Sequence, residues 1–508
     1  MQGRLFSPDE EVAPRAWAGL AVVAAALFVA TLDAMVLYVA FGTIRRDFPD
    51  VSAAALSWIL SGYTIVLAAG MIGAGRRADR LGRRRVFLAG MGVFTVASAI
   101  CAVAPGVGVL VAARVLQGFG AAALTPASLA LILQAFPKSR VPQAIALWGA
   151  AGALAAALGP TIGGLFVEAW GWRSVFVVNV PIGIAVAIVG RRLLDESREP
   201  DGSRLPDPVG TVVVTVALVL LALAIVQSGA WGWSSTRTVG ALLGAVVLLG
   251  AFAGRCATVP NPVLALDLFS ERGFRWANLG QLLYGTGFTI MFFGNVQFLR
   301  EVWGYSPFWT GLAMAPGPLV VFLLAPPFGR LAGRIGQRPI PIPGGVISAA
   351  AALFLLSRVD AAPAYLAVWL PFTLVSGVGV SMVLPLLTSE AVAGLPSDRL
   401  ATGAAVNAAL RNLGQTLGVA IFVALAGRTA AGELLPHHQI AWWLVAAAGV
   451  AVTATSWRLP RVGAATRAIE RDLHLTLILQ TTGSRPSPIV AGEPATPRIR
   501  RVLPGVSS

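Results

Sequence analysis

Apolar residues run through this chain in long blocks that no charge interrupts. Leu116 to Pro137, Pro208 to Ser235, Trp276 to Leu299, Val302 to Gly329 and Ala361 to Ser389 are each free of Asp, Glu, Lys and Arg. A helix needs about 20 largely apolar residues to cross a bilayer, and these blocks supply them. The pattern predicts fourteen spans, near 16–41, 54–74, 86–104, 107–131, 141–166, 174–190, 208–229, 238–254, 276–299, 309–328, 340–357, 362–388, 402–427 and 439–457. The weakest divisions are 86–131, where Ala104-Pro105-Gly106 must turn, and the short eighth span. A twelve-span reading is the alternative. The predicted class is an all-α polytopic membrane protein.

Composition agrees with the pattern. The chain has 508 residues, 56% hydrophobic and only 12% charged, with a mean hydropathy of +0.76; soluble domains carry charge on about a quarter of their residues. Cys101 and Cys256 cannot make a disulfide framework. His437 and His438 fall in a short inter-helix connection and His474 in the tail. HExxH, CxxC and GxxxxGK patterns are missing, so neither a metal, a cofactor nor enzymatic chemistry is expected. The first apolar stretch is long enough to span and lacks a clear cleavage pattern, so it reads as a retained helix.

Charge then sets the sides. With an even number of spans both termini share one face. Only Arg45, Arg46, Arg173, Arg237, Arg300, Arg358 and Arg428 fall on the other face, while Arg114 and Arg411 lie within spans. The rest of the 38 basic residues gather on the terminal side. Basic loops mark the cytoplasmic side of a membrane, so both termini are expected there. The net charge of +15 is thereby spread over membrane-facing loops. This favours contact with anionic lipid over nucleic-acid binding.

The densest of these loops has an echo. GRRADRLGRR at 75–84 and GRLAGRIGQR at 329–338 share six of ten residues, and each joins the second and third spans of a six-span unit. Two such units with an inserted helix pair describe a transporter whose halves rock about a central site. The expected organisation is a first half over 1–190, a cytoplasmic linker over 191–207, two additional spans over 208–254, a second half over 255–457 and a partly disordered tail over 458–508. Gly75 and Gly82 would permit turns beside the membrane. Asp79 could accept hydrogen bonds from arginines or helix amides across its half, forming a latch with Arg80, Arg83 and Arg84. Gly333 stands where the second copy would need that acid.

Polar groups inside spans are costly and face protein or water. Asp33, in ATLDAMVLYVAF, is the leading proton-coupling candidate. Arg114, one turn before Gln117, is a fixed cation that could bias an acid or anchor a network. WGAAGALAAALGPTIGG combines small residues with a bend at Pro160, and Gly159, Gly163 and Gly164 allow close helix approach. Asn295, Gln297, Asn407 and Arg411 are candidates to line a polar cavity or to join helices, and Tyr38 and Gln117 are further cavity candidates. Glu390 reads as a solvated helix-end residue.

Together these passages resemble the major facilitator superfamily, in particular its fourteen-span drug:proton antiporter branch. GRRADRLGRR is similar to the loop signature between spans two and three, with Arg77 in an ordinarily apolar place. RVLQGFGAAALTP resembles the span-four arginine motif, LGPTIGG the antiporter motif of span five, and LDAMVLYVAFG the first-span motif. The last departs at Met35, Tyr38 and Gly42. WRSVFVVNVPIG, NVQFLREVWGYSPFWTGLAMAPG and ATGAAVNAALRNLGQTLG resemble other passages of that branch, so the likeness covers roughly residues 16–457. The resemblance implies export by alternating access driven by inward proton movement. Asp33 and Arg114 would serve coupling, Pro160 and its glycines the seam, and Asp79 the latch. The implied partners are protons, membrane lipids and a small hydrophobic or amphipathic substrate, moved by a monomer in a bacterial cytoplasmic membrane. A metabolite or lipid transporter of the same fold is the nearer alternative, and a receptor or scaffold acting through the tail the remote one.

Overall fold

The computed structural model describes residues 12–137, 140–198, 207–260, 262–264, 266–395, 400–426 and 434–460, and among these it is helical without a strand. Nearly all of the expected tail and the middle of the 191–207 linker lie outside the described residues. Fourteen spans are long and apolar enough to cross a bilayer. They are built from α1 (Pro14–Asp47), α2 (Ala53–Leu81), α3 (Arg83–Ala102), α4 (Val107–Ala135), α5 (Val141–Trp170), α6 (Ser174–Val177) and α7 (Asn179–Leu193). Then come α8 (Pro208–Trp231), α9 (Thr236–Thr258), α10 (Arg272–Glu301), α11 (Pro307–Met314) and α12 (Pro316–Ile335). The last are α13 (Pro341–Arg358), α14 (Leu370–Ala393), α15 (Leu400–Ala426) and α16 (Leu434–Trp457). A π-helical turn over Tyr365–Trp369 opens the α14 span.

Local chemistry explains the boundaries. Ser52, Ser235 and Ser306 accept hydrogen bonds from the free amides of the helices they precede, replacing partners a first turn lacks. Two spans are broken in two. Pro181 has no N–H for the carbonyl of Val177, and α6 ends there; Pro316 likewise opens α12. The expected turn at Ala104-Pro105-Gly106 separates α3 from α4.

The repeated loops have the same construction. Gly82, at φ +110°, donates its N–H to Ala78, and Gly336, at φ +88°, donates to Ala332. Only glycine takes such a backbone without strain. Gly75, by contrast, sits inside α2 rather than in a turn, and a Cβ there would meet Pro126 only at ordinary contact distance. The eighth span is also longer than expected, occupying Thr236–Thr258.

Helices α1–α7 pack mainly on one another, as do α10–α16. The two groups meet along α2 with α15, and along α5 with α11 and α12. Helix α8 packs on both α2 and α15, covering that seam from outside, and α9 leans on α8. Burial follows this order: the apolar windows of α2 and α10 are 72% buried, that of α9 only 17%. Leu243, Val246 and Val247 of α9 are therefore left for lipid. Asp207, the cap of α8, also pairs with Arg255 of α9, tying the inserted pair together.

Candidate functional site

Alternating passes put the start of α1, the Gly82 loop and the end of α16 at one end of the bundle, here termed the terminal end. The opposite end holds the α1–α2 loop and the start of α11. Between them, Asp33 of α1 and Arg114 of α4 meet directly. Arg114 Nη1 donates to Asp33 Oδ2 at 2.5 Å, and both side chains are buried. Arg114 also donates to Gln117 Oε1 at 2.5 Å and, through Nε, to the carbonyl of Ile59 at 3.1 Å. Its guanidinium lies 4.2 Å from the centre of the Tyr63 ring, within cation–π range.

The second carboxylate oxygen is equally engaged. Asp33 Oδ1 accepts from Gln117 Nε2 at 3.0 Å and from Asn179 Nδ2 at 2.7 Å, and Gln117 also donates to Ser98 at 2.8 Å. Five buried polar side chains from α1, α3, α4 and α7 thus share one network. Asn179, Ser98 and Tyr63 did not emerge as site residues from the sequence. The signal for Asn179 was an amide inside the apolar run VFVVNVPIG, two residues before Pro181; the span break sets it at the head of α7. Ser98 resembled any small membrane residue.

A cavity of about 10 Å³ abuts Asp33, lined in part by Gly163, Phe166, Val175 and Asn179. That is room for about one water. The Asn179 Oδ1 is buried without a partner among the described residues, so a water here would find an acceptor.

The small residues of α5 divide their duties. Cβ atoms on Gly159 and Gly163 would collide with Met35 and Val36 of α1. One on Gly164 would overlap the Pro307 carbonyl, and one on Gly311 that of Pro160. The seam therefore joins α5 both to the helix carrying Asp33 and to the other half. Around it the opposite end is closed. Thr161 bonds the Gly311 carbonyl at 3.1 Å, Glu168 accepts from Ser306 at 2.6 Å, and Arg300 donates to the Val39 carbonyl at 2.8 Å. Arg45 pairs with Glu301 at 3.3 Å, and Tyr38 packs against Phe292 and Phe293 of α10.

At the terminal end, Arg80 is exposed and the Asp79 side chain lies outside the described residues. The head of α3 is held by Glu196 from the linker. Its carboxylate accepts from the Arg84 and Arg85 amides at 3.1 and 3.2 Å and stands 3.6 Å from the Arg85 guanidinium. The Arg83 amide bonds the Ser197 carbonyl at 2.9 Å. Glu196 was part of what the sequence offered only as a polar linker.

In the second half, Asn295 accepts from Trp442 at 3.0 Å, joining α10 to α16. Asn407 donates to Asn278 at 3.0 Å, joining α15 to α10. Gln297 donates to Glu301 at 3.3 Å. Arg411 is half-buried and has no hydrogen bond or ion pair among the described residues. Two readings change. His437 and His438 belong to α16 and are buried among aromatic rings, not in a connection. Their donor atoms and that of Glu301 lie within 4.8 Å of one another, the one metal-compatible cluster among the described residues. Glu390 is 8% exposed, packed toward Gly273 rather than solvated.

Fourteen membrane-length helices, closely packed halves and a buried ion pair define a polytopic helical membrane protein. The chain belongs to the Major Facilitator Superfamily, whose sequence profile matches residues 23–419. It is 33% identical to the multidrug resistance protein Stp of Mycobacterium tuberculosis (strain CDC 1551 / Oshkosh), over 81% of this chain and 76% of that protein. It is 30% identical to the tetracenomycin C resistance and export protein of Streptomyces glaucescens, over 85% of this chain and 80% of that one. A solved peptide transporter, POT in complex with sulfate, shares the fold with a TM-score of 0.62 at 16% identity. The match covers 87% of this chain and 94% of that one.

Proposed function

We propose that the protein is a proton-driven exporter of small hydrophobic or amphipathic compounds, antibiotics or secondary metabolites among them. The relatives named for multidrug resistance and for tetracenomycin export support the direction and the substrate type. The observation that carries the coupling is the buried Asp33–Arg114 pair. A carboxylate held this way is neutralised by its partner; a proton on it does the same work and releases the partner. Arg114 then keeps the Ile59 carbonyl, Gln117 and the Tyr63 ring but loses its bond to α1, so the tie between α1 and α4 weakens. Because Gly159 and Gly163 pack on the same turn of α1, a shift there reaches the seam between the halves.

Both termini are taken as cytoplasmic on the basic-loop bias, which makes the closed end the outer one. Substrate enters from the cytoplasm or the inner leaflet, closure follows around the midplane, and release occurs outside. A proton reaching Asp33 from the outer side, along the line of the small cavity, resets the cycle. Asp79 with Arg80, Arg83 and Arg84 is the proposed latch of the terminal end, with Glu196 as its second acid. The test is an efflux screen in cells lacking competing pumps, repeated in vesicles. Flux should rise with an imposed proton gradient, and flux indifferent to that gradient would remove antiport.

A further inference from the structure

Arg411 is a cation without an answer. It stands near the midpoint of the 27-residue α15, deep in a span, where every other ionised group normally finds a partner. The Asp33 carboxylate cannot serve, since Arg114, Gln117 and Asn179 occupy both of its oxygens.

The neighbours of α15 show which way Arg411 faces. Gly414 and Gly418 abut the backbone of α10. Asn412 and Thr416 turn to α2, bonding Met71 and Thr64 at 3.4 and 2.7 Å. Leu413 packs with Ile65 and Leu218 toward α8, on the outside of the seam. At roughly 100° per residue, Arg411 and Gln415 fall between the α10 and α2 faces, opposite Leu413. They point to where the two halves enclose the interior.

A second side chain on the facing helix is also unanswered. Gln281 of α10 is fully buried, and neither atom of its amide has a partner among the described residues. The Asn278–Asn407 hydrogen bond and the approach of Gly285 to the Arg411 backbone fix the register of α10 against α15. Gln281 lies between those two levels, on the same stripe of α10. Two helices thus bring a guanidinium and an unpaired amide to neighbouring levels of the interior, about one helical turn apart along α10.

We propose that Arg411, assisted by Gln281, is an anion-binding subsite, and that the exported compound carries an acidic group, such as a carboxylate or a phenolate, on its apolar body. A guanidinium presents a planar pair of donors that matches a carboxylate in two-point contact, and an amide adds a further donor. A hydrophobic cation would meet repulsion at this level. The inference rests on the exporter reading and refines its substrate class. It has an energetic corollary: an anion leaving as a proton enters moves positive charge inward twice over, so an inside-negative potential adds to the pH gradient.

The test uses the purified full chain in lipid nanodiscs with two probes, 1-pyrenebutyrate and its methyl ester. They share the apolar body and differ in charge. Wild type should bind the acid about tenfold more tightly than the ester, a difference of one charged, partly desolvated contact. Arg411→Gln should erase that preference while leaving ester binding in place; Arg411→Lys should keep part of it, and Gln281→Leu should weaken acid binding alone. Gel-filtration profiles and Tm establish that each variant is folded, and the lysine variant decides the matter if the glutamine variant is not. Equal binding of acid and ester by wild type, or an acid preference that survives Arg411→Gln, overturns the subsite. Gradient-driven transport of the ester alone would do so too while leaving the exporter reading intact, whereas absence of any gradient-driven flux strikes that reading itself.

Discussion

The two halves of this transporter each hold an arginine deep in the membrane, and they treat it in opposite ways. Arg114 is locked to Asp33, Gln117 and the Ile59 carbonyl, and an aromatic ring lies 4.2 Å from it. Arg411 has no bonded partner among the described residues, and the nearby Gln281 amide is equally idle. An isolated charge at membrane depth costs about 2.5–3.5 kcal/mol on insertion scales. The first half offsets that cost with a private counter-charge. The second leaves it standing, as a protein does where a mobile partner comes and goes. On the proposed reading the contrast separates two tasks: a closed circuit that a proton can open, and an open one that a substrate can close.

Substitutions sharpen this comparison because they should move stability in different directions. Arg114→Leu strands the Asp33 carboxylate in a buried site, and breaking such a pair costs about 3–5 kcal/mol; thermal unfolding in detergent should show a large fall in Tm. Arg411→Leu removes a charge that nothing balances, so its Tm should be unchanged or higher. Parallel losses in the two variants would erase the distinction. Asn179→Leu takes one donor from Asp33 and should cost about 1–3 kcal/mol, a smaller fall read by the same melt. Least of all should come from Asp207→Asn, at the base of the inserted pair.

That last site also carries a pH signature. The Arg255 hydrogen bond, aided by the Gly210 and Val209 amides, holds the Asp207 carboxyl below its usual range. A depressed folded-state pKa means the contribution is present above the unfolded carboxylate pKa and lost as pH falls through the folded one. Comparing Tm of wild type and Asp207→Asn from neutral to strongly acidic pH should show their gap shrinking toward acid. A gap that widens instead would show that Asp207 is not held as an anion.

Much of this was legible in the residues, and the remainder fails for identifiable reasons. Charge-free blocks and the Ala104-Pro105-Gly106 turn located the spans, because a bilayer imposes length and polarity on every segment it contains. Asp33 and Arg114 were conspicuous singly; no spacing rule could join residues 81 positions apart. The glycine doublet Gly82 and Gly336 was visible as a repeat, and its shared backbone follows from that. Glu196 was hidden because a linker carboxylate is ordinary until a helix start is brought to it. Gln281 was hidden because an amide in an apolar run advertises neither its face nor its lack of partners. His437 and His438 misled because two polar residues near a span end suggest water, whereas aromatic neighbours from other helices bury them.

The account turns on Asp33 carrying the proton, and proton movement can be watched directly. Vesicles containing the purified protein and the pH dye pyranine in the lumen would be preloaded with a substrate found in the efflux screen, then diluted into substrate-free buffer. Outward substrate flow should pull protons in and acidify the lumen for wild type, and should leave lumenal pH flat for a folded Asp33→Asn. Acidification that persists in that variant, or substrate leaving wild-type vesicles with no proton entering, would contradict it.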